Sequence, residues 1–289
     1  MKRIIYCIFF LSFATHAFEK TTYTFSKDPI DVVIPCHKKD ARSIESAVRG
    51  VKKNVQGVRR VIVVSSEQLT SEAEWIDEKI FPFTKENLAQ EIFGSSQEAA
   101  RQVTKESSRM GWIYQQFLKL YAPLCIPDIS KNVLIVDADV VFLKPITFVQ
   151  EDGAGLYAVG SEFNIPYFDH ASRILLNLKR IDEELSGVVH HMLFQQEVLL
   201  DLFSLIEKQH GTAPWKAIAR MIPLDNKNDM AFSAMSEYEI YFNFAFARTD
   251  QVKIRKCNWA NTVVTEAEPL EAYRKKGFDY VAIHVWEGM

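Results

Sequence analysis

The sequence predicts an α/β fold with a mostly parallel central sheet flanked by helices, and three observations predict it. A strand, an amphipathic helix and a second strand follow one another within residues 31–64, and so short a βαβ unit makes its two strands parallel. Residues 132–136 (NVLIV) have the length and β-branched content of another buried strand. Between the strand candidates lie segments whose apolar residues recur at helical spacing.

In chain order, residues 31–35 (DVVIP) read as a buried strand ended by proline. Ile44, Val48, Val51 and Val55 then mark a helix that Gly57 closes, and residues 58–64 (VRRVIVV) form the second strand, ending at Ser65. Residues 66–110 are too polar for a pattern to assign them. Within residues 111–122, Ile113, Phe117, Leu120 and Tyr121 share one helical face, with Trp112, Gln115, Gln116 and Lys119 elsewhere; Pro123 and Pro127 are expected to stop this helix. After the 132–136 strand come a short strand at 156–159, an amphipathic helix at 192–209 and a last strand at 280–286. With no repeat or linker, residues 18–289 are expected to form a single domain.

The first 17 residues combine a basic start, an apolar run over 4–14 and small residues at Thr15 and Ala17, the layout of a signal peptide cleaved after Ala17. The expected location is the secretory pathway or outside the cytoplasm. That apolar run is shorter than the ~20 residues a bilayer needs, and no transmembrane helix is expected after leader removal. Apolar residues make up 48% of the chain, enough for a sizeable core, and a net charge of −3 gives no electrostatic case for nucleic acid. Cys36, Cys125 and Cys257 form neither a disulfide framework nor a zinc pattern.

Asp137 and Asp139 stand in the middle of an apolar run (NVLIVDADVVFLKP), where a carboxylate is costly unless paired or metal-bound. The strand is therefore expected to end at Asp137, with the acids reaching a cleft at the carboxyl end of the sheet, where ligands sit in such folds. In an extended chain residues two apart point the same way, and Ala138 between them is small. Two oxygen ligands, completed by waters and a diphosphate, suit Mg²⁺ or Mn²⁺. One chemistry is a metal gripping the diphosphate of a nucleotide-sugar as its leaving group; the other is an aspartyl nucleophile with a neighbouring acid/base.

Five segments in order, 31–35 (DVVIP), 115–120 (QQFLKL), 136–139 (VDAD), 190–194 (HHMLF) and 236–239 (SEYE), make the chain resemble glycosyltransferases of the GT-A type, and more narrowly a group of glycosyltransferase-like proteins. The resemblance spans residues 28–289. It implies a Rossmann-like GT-A fold with a nucleotide-sugar-binding half at 28–145 and an acceptor-side half at 146–289. It also implies a divalent metal at Asp137 and Asp139, a nucleotide-sugar donor, and a carbohydrate or other hydroxyl acceptor. Phosphatases of the haloacid dehalogenase type fit less well: they usually place Thr two residues after the second Asp, where Val141 stands here.

By the same resemblance His284 is a third metal ligand, which would tilt the site toward Mn²⁺. Gln115, Gln116 and Lys119 would approach the nucleotide or diphosphate, with Asp137 also touching the donor. Ser236 and Glu239 read as a capping box, leaving Glu237 free to face the cleft as the base that deprotonates an acceptor; Asp225 and Asp229 are alternatives. His191 and Gln195, one helical turn apart, are expected to face the cleft, with His191 in a catalytic role. His37 and Ser65, each just past a strand end, stand where a base and ribose usually rest. A leader conflicts with cytosolic nucleotide-sugars if the source is bacterial. That keeps open a second class, a secreted sugar- or nucleotide-binding pseudoenzyme without turnover.

Overall fold

The computed structural model describes residues 18–105, 107–224, 233–262 and 270–283. The expected leader, Asp225, Asp229 and His284 lie outside them. The first half runs β1 (Ile30–Pro35), α1 (Ala41–Asn54), β2 (Val58–Ser65), β3 (Glu74–Asp77), α2 (Lys85–Phe93), α3 (Ser96–Thr104), α4 (Met110–Cys125), β4 (Asn132–Val136) and β5 (Val140–Phe142). Next come β6 (Leu156–Tyr157), α5 (Ile165–Ile174), β7 (His191–Gln195), α6 (Gln196–His210), α7 (Pro214–Arg220) and α8 (Glu237–Arg248). The last described elements are β8 (Lys253–Ile254), β9 (Trp259–Thr262), α9 (Leu270–Lys275) and β10 (Tyr280–Ile283).

The central sheet has the order β3-β2-β1-β4-β7, parallel except for the antiparallel edge strand β7. Both its faces are covered, which is why its strands read as continuous apolar runs. Val33, Val133, Ile135, Met192 and Phe194 face a core shared with α4, α6 and α8. Val32, Ile34, Leu134, Val136 and Leu193 face the other core, shared with α1, Phe142 and Tyr280. β5, β10 and β9 form a second sheet on that side, and Asn54 of α1 is tied to it by a bond from Nδ2 to the Phe142 carbonyl at 2.7 Å.

Several expected boundaries move. The segment 192–209 is a strand followed by a helix: MLF fits either period, and pairing with β4 decides for the strand. The helix expected to stop at Pro123 continues to Cys125; proline withholds one bond, to the Lys119 carbonyl, without breaking a helix already buried over residues 116–123. The polar stretch 66–110 holds β3, α2 and α3, with α2 started by a capping box between Thr84 and Asn87 and ended by Gly94 in the left-handed region. Two residues, not four, are paired in β6, and β10 is described only to Ile283. Among the described residues no helix is long and apolar enough to cross a membrane.

Charge is buried at both ends of the sheet. At the amino end of β1, the fully buried Asp31 accepts from Arg59 (2.8 and 2.5 Å), Arg60 (3.2 Å) and the Ser130 N–H (2.9 Å), which hold its carboxyl below the usual range although burial pushes the other way. The carboxyl end of β4 carries the second cluster.

Candidate functional site

β4 ends at Val136, and residues 137–140 form a turn closed by a bond from Val140 N–H to the Asp137 carbonyl at 3.1 Å. The two acids are thus on a turn between two sheets, not on one extended strand. Asp137 N–H donates to the His190 carbonyl at 2.9 Å, prolonging the β4–β7 ladder by one rung.

Three elements converge on Asp137. From α4, the Lys119 ammonium lies 2.6 Å from Asp137 Oδ1 and 2.8 Å from Glu237 Oε1, on a side chain 4% exposed. From the start of α8, Tyr238 donates its hydroxyl to Asp137 Oδ1 at 2.9 Å and presents its ring 4.6 Å from the same ammonium. From the entry to β7, His190 Nδ1 lies 3.5 Å from Asp137 Oδ2, while its Nε2 is 3.0 Å from Asn261 Oδ1 on β9. His190 has φ +65°, a left-handed conformation uncommon for a residue with a side chain, and its ring meets Trp259 edge-on at 5.3 Å.

The electrostatics follow from this packing. Burial works against the Lys119 ammonium, but the Asp137 and Glu237 carboxylates outweigh it and keep it charged. Burial would raise Asp137, yet Lys119 and His190 hold it well below the usual carboxylate range. Burial, then the Asp137 charge, push the Asp139 carboxyl up to about 6, against the opposing pull of His190 and Lys119. Burial also raises Glu237, 1% exposed, despite Lys119.

The predicted site residues divide. Asp137, Asp139, Lys119 and Glu237 come together. Gln115 touches the same end of the sheet, its Nε2 donating to the Pro35 carbonyl at 3.2 Å, whereas Gln116 is buried and bonds to the Trp112 carbonyl within α4. His37 is exposed and caps a short turn through Nδ1, accepting from Lys39 N–H at 3.2 Å; Ser65 is buried and donates to the Glu67 carbonyl at 2.6 Å. His191 does not join the cluster. It sits on a strand rather than a helix, its ring boxed edge-on by Phe142, Phe148 and Tyr280, and burial keeps it neutral. Gln195 is likewise buried, on Asn132 and the Gly153 carbonyl. The capping box at α8 is half made: Ser236 accepts from Glu239 N–H at 3.2 Å, but the Glu239 carboxylate is taken by Ser186 and Asn243.

His190, Tyr238 and Asn261 are residues of this cluster that carry no definite role in the sequence reading. The first two lie inside quoted motifs, so a signal existed; Asn261 is brought in only by the second sheet. Among the described residues no group of three or more His, Cys, Asp or Glu is placed to hold a metal ion. The donor set itself, two carboxylates carried on one turn, fits a hard divalent cation completed by water and ligand oxygens.

The galactosyltransferase LgtC, solved with donor and acceptor sugar analogues, is similar over 88% of this chain and 86% of its own, at 11% identity and a TM-score of 0.43. The crystal structure of an active-site variant of LgtC gives the same figures. No curated protein sequence matches. Residues 9–277 match the family of unknown function DUF6492, and the chain belongs to that family.

Proposed function

We propose that the chain is a divalent-metal-dependent glycosyltransferase of GT-A type that moves a sugar from a nucleotide-sugar donor to a hydroxyl acceptor. The supporting observation is the cluster at the carboxyl end of β4, where Asp137 and Asp139 leave the sheet and Lys119 is buried between Asp137 and Glu237. A structural ion pair would need only one of those acids; two carboxylates on one turn suit a cation.

Mn²⁺ or Mg²⁺ would be held by Asp139 and Asp137, with His284 a third ligand, and when bound would neutralise the leaving diphosphate. Lys119 and Tyr238 fix the Asp137 carboxylate, and His190, held by Asn261, closes its other side. Glu237 is 1% exposed and paired with Lys119, so its part here is to position that ammonium rather than to meet an acceptor. Residues 28–145 form the donor half, with His37, Ser65 and Gln115 along the ends of β1 and β2 where base and ribose would rest, and 146–289 the acceptor half. The leader would place this activity in the secretory pathway or outside the cytoplasm.

A thermal-shift screen against UDP, GDP and CMP, each with and without Mn²⁺, tests the reading. A rise with one nucleotide only in the presence of Mn²⁺ supports it and names the donor class. No rise with any of them favours the non-catalytic reading.

A further inference from the structure

The turn carrying the acids borders a second feature on the acceptor half. Residues 161–164 (SEFN) form a short irregular loop pinned at both ends. Gly160 pairs with Ser186 through two backbone bonds (2.9 and 3.0 Å), and Asn164 Nδ2 donates to the Ser233 carbonyl at 3.1 Å. Between the pins the loop displays an acid and an aromatic ring. Glu162 is exposed and within electrostatic reach of His190, and Phe163 is 59% exposed. Phe163 is supported from behind: Phe168 stacks on it at 5.6 Å, and the Arg180 guanidinium lies 4.9 Å from one ring and 5.3 Å from the other. Closer to Glu237, Tyr167 stacks on Trp112 at 6.4 Å.

Held in place by Phe168 and Arg180 with more than half its surface in water, the Phe163 ring offers a ligand a preformed apolar face. The Phe163 ring with the Arg180 guanidinium against it, and Glu162 next to it in the chain, match one chemistry well. The C–H face of a pyranose packs on an aromatic ring, and its hydroxyls, which both donate and accept, bond to acid and base alike. We infer that Glu162 and Phe163, backed by Phe168 and Arg180, form a subsite for a saccharide acceptor. The inference rests on the transferase reading, and it gives the acceptor's class as carbohydrate. Glu162, within electrostatic reach of His190, ties this subsite to the acid cluster.

The test is a printed array of mono- and disaccharides (gluco, galacto, manno, N-acetylhexosamine and uronic acid series), probed with the full protein, Phe163→Ala and Glu162→Gln, with and without Mn²⁺ and the nucleotide that binds it. Both side chains are exposed, so the melting temperature of each variant is expected to stay near the parent's, as is its Mn²⁺-dependent nucleotide response. Binding of a defined saccharide subset that drops about five- to tenfold in Phe163→Ala, and measurably in Glu162→Gln, is the expected result. Equal binding by parent and variants, or no saccharide bound by the parent, overturns the subsite. If the variants lose saccharide while no nucleotide ever binds, the subsite stands and the transferase reading falls; nucleotide binding with saccharide binding unchanged in the variants has the opposite meaning.

Discussion

Replacing Lys119 by methionine tests how the site is held together. Lys119 neutralises two carboxylates of very different standing. Asp137 has a side chain 23% exposed and keeps Tyr238 at 2.9 Å and His190 at 3.5 Å, so it loses one partner of three. Glu237 is 1% exposed and its ion-pair partner is Lys119 alone among the described residues. Breaking a buried pair from one side costs about 3–5 kcal/mol, because the remaining charge stays in place without compensation. At roughly 2 °C per kcal/mol for a chain of this size, the melting temperature of Lys119→Met should fall by about 6–10 °C near neutral pH. The pH dependence gives the sign. Burial already raises the Glu237 carboxyl, and without Lys119 it rises further above its unfolded value, so the folded variant binds more protons than the unfolded chain. Its stability must then fall as pH rises, and the deficit against the parent should shrink at about pH 5 and widen at about pH 8. Adding Glu237→Gln, which removes the stranded charge, should recover about half of the loss by the same reasoning. Urea unfolding of the parent, Lys119→Met and the double variant at both pH values measures this. A loss under about 1 kcal/mol, a pH-independent loss, or no recovery in the double variant would refute the burial argument.

Three further predictions follow from the same structure. Because Asp139 has its carboxyl pushed up to about 6, a metal must displace its proton below that pH; Mn²⁺ affinity measured calorimetrically should fall about tenfold per pH unit under about pH 6 and be flat above pH 7. Asp31→Asn should cost about 2–4 kcal/mol while leaving nucleotide response unchanged, since its partners Arg59, Arg60 and Ser130 lie at the opposite end of the sheet; as its folded-state value is depressed, the parent's matching stability should be present at neutral pH and lost as pH falls through that value. Gly187→Ala should cost about 1–3 kcal/mol by unfolding, because the added carbon would meet Phe242 Cβ at 2.7 Å and the Tyr238 carbonyl at 3.0 Å; equal stability would mean that α8 yields freely there.

Much of the fold was legible because its signals are local. The 31–64 unit announces itself through apolar residues at period 3.6 between two β-branched runs, and the carboxylates in 132–145 mark the end of a strand because nothing else makes them tolerable there. What escaped the sequence depends on tertiary pairing. HMLFQ is apolar on both strand faces, so no alternation separates it from a helix, and only its register with β4 makes it a strand. That error carried His191 and Gln195 into the expected cleft, whereas the structure brings in His190, one residue earlier. Lys119 is expected near the nucleotide or diphosphate by resemblance alone; its burial between Asp137 and Glu237 follows from α4 and α8 packing on the same face of the sheet. Asn261 comes from a strand in another sheet, and Glu162 from a loop, neither of which a spacing rule can place.

The most direct test of the central claim is release of nucleoside diphosphate from a panel of nucleotide-sugars, with Mn²⁺ present or chelated, comparing the parent protein with Asp139→Asn. Asp139 is chosen because its removal relieves a like-charge contact with Asp137 and leaves the Lys119–Asp137–Tyr238 contacts whole, so the fold should be retained. The account predicts release by the parent from one donor class, only with Mn²⁺, and none by the variant at an unchanged melting temperature. Release by Asp139→Asn at the parent's rate, or release by the parent that ignores the metal, would contradict it.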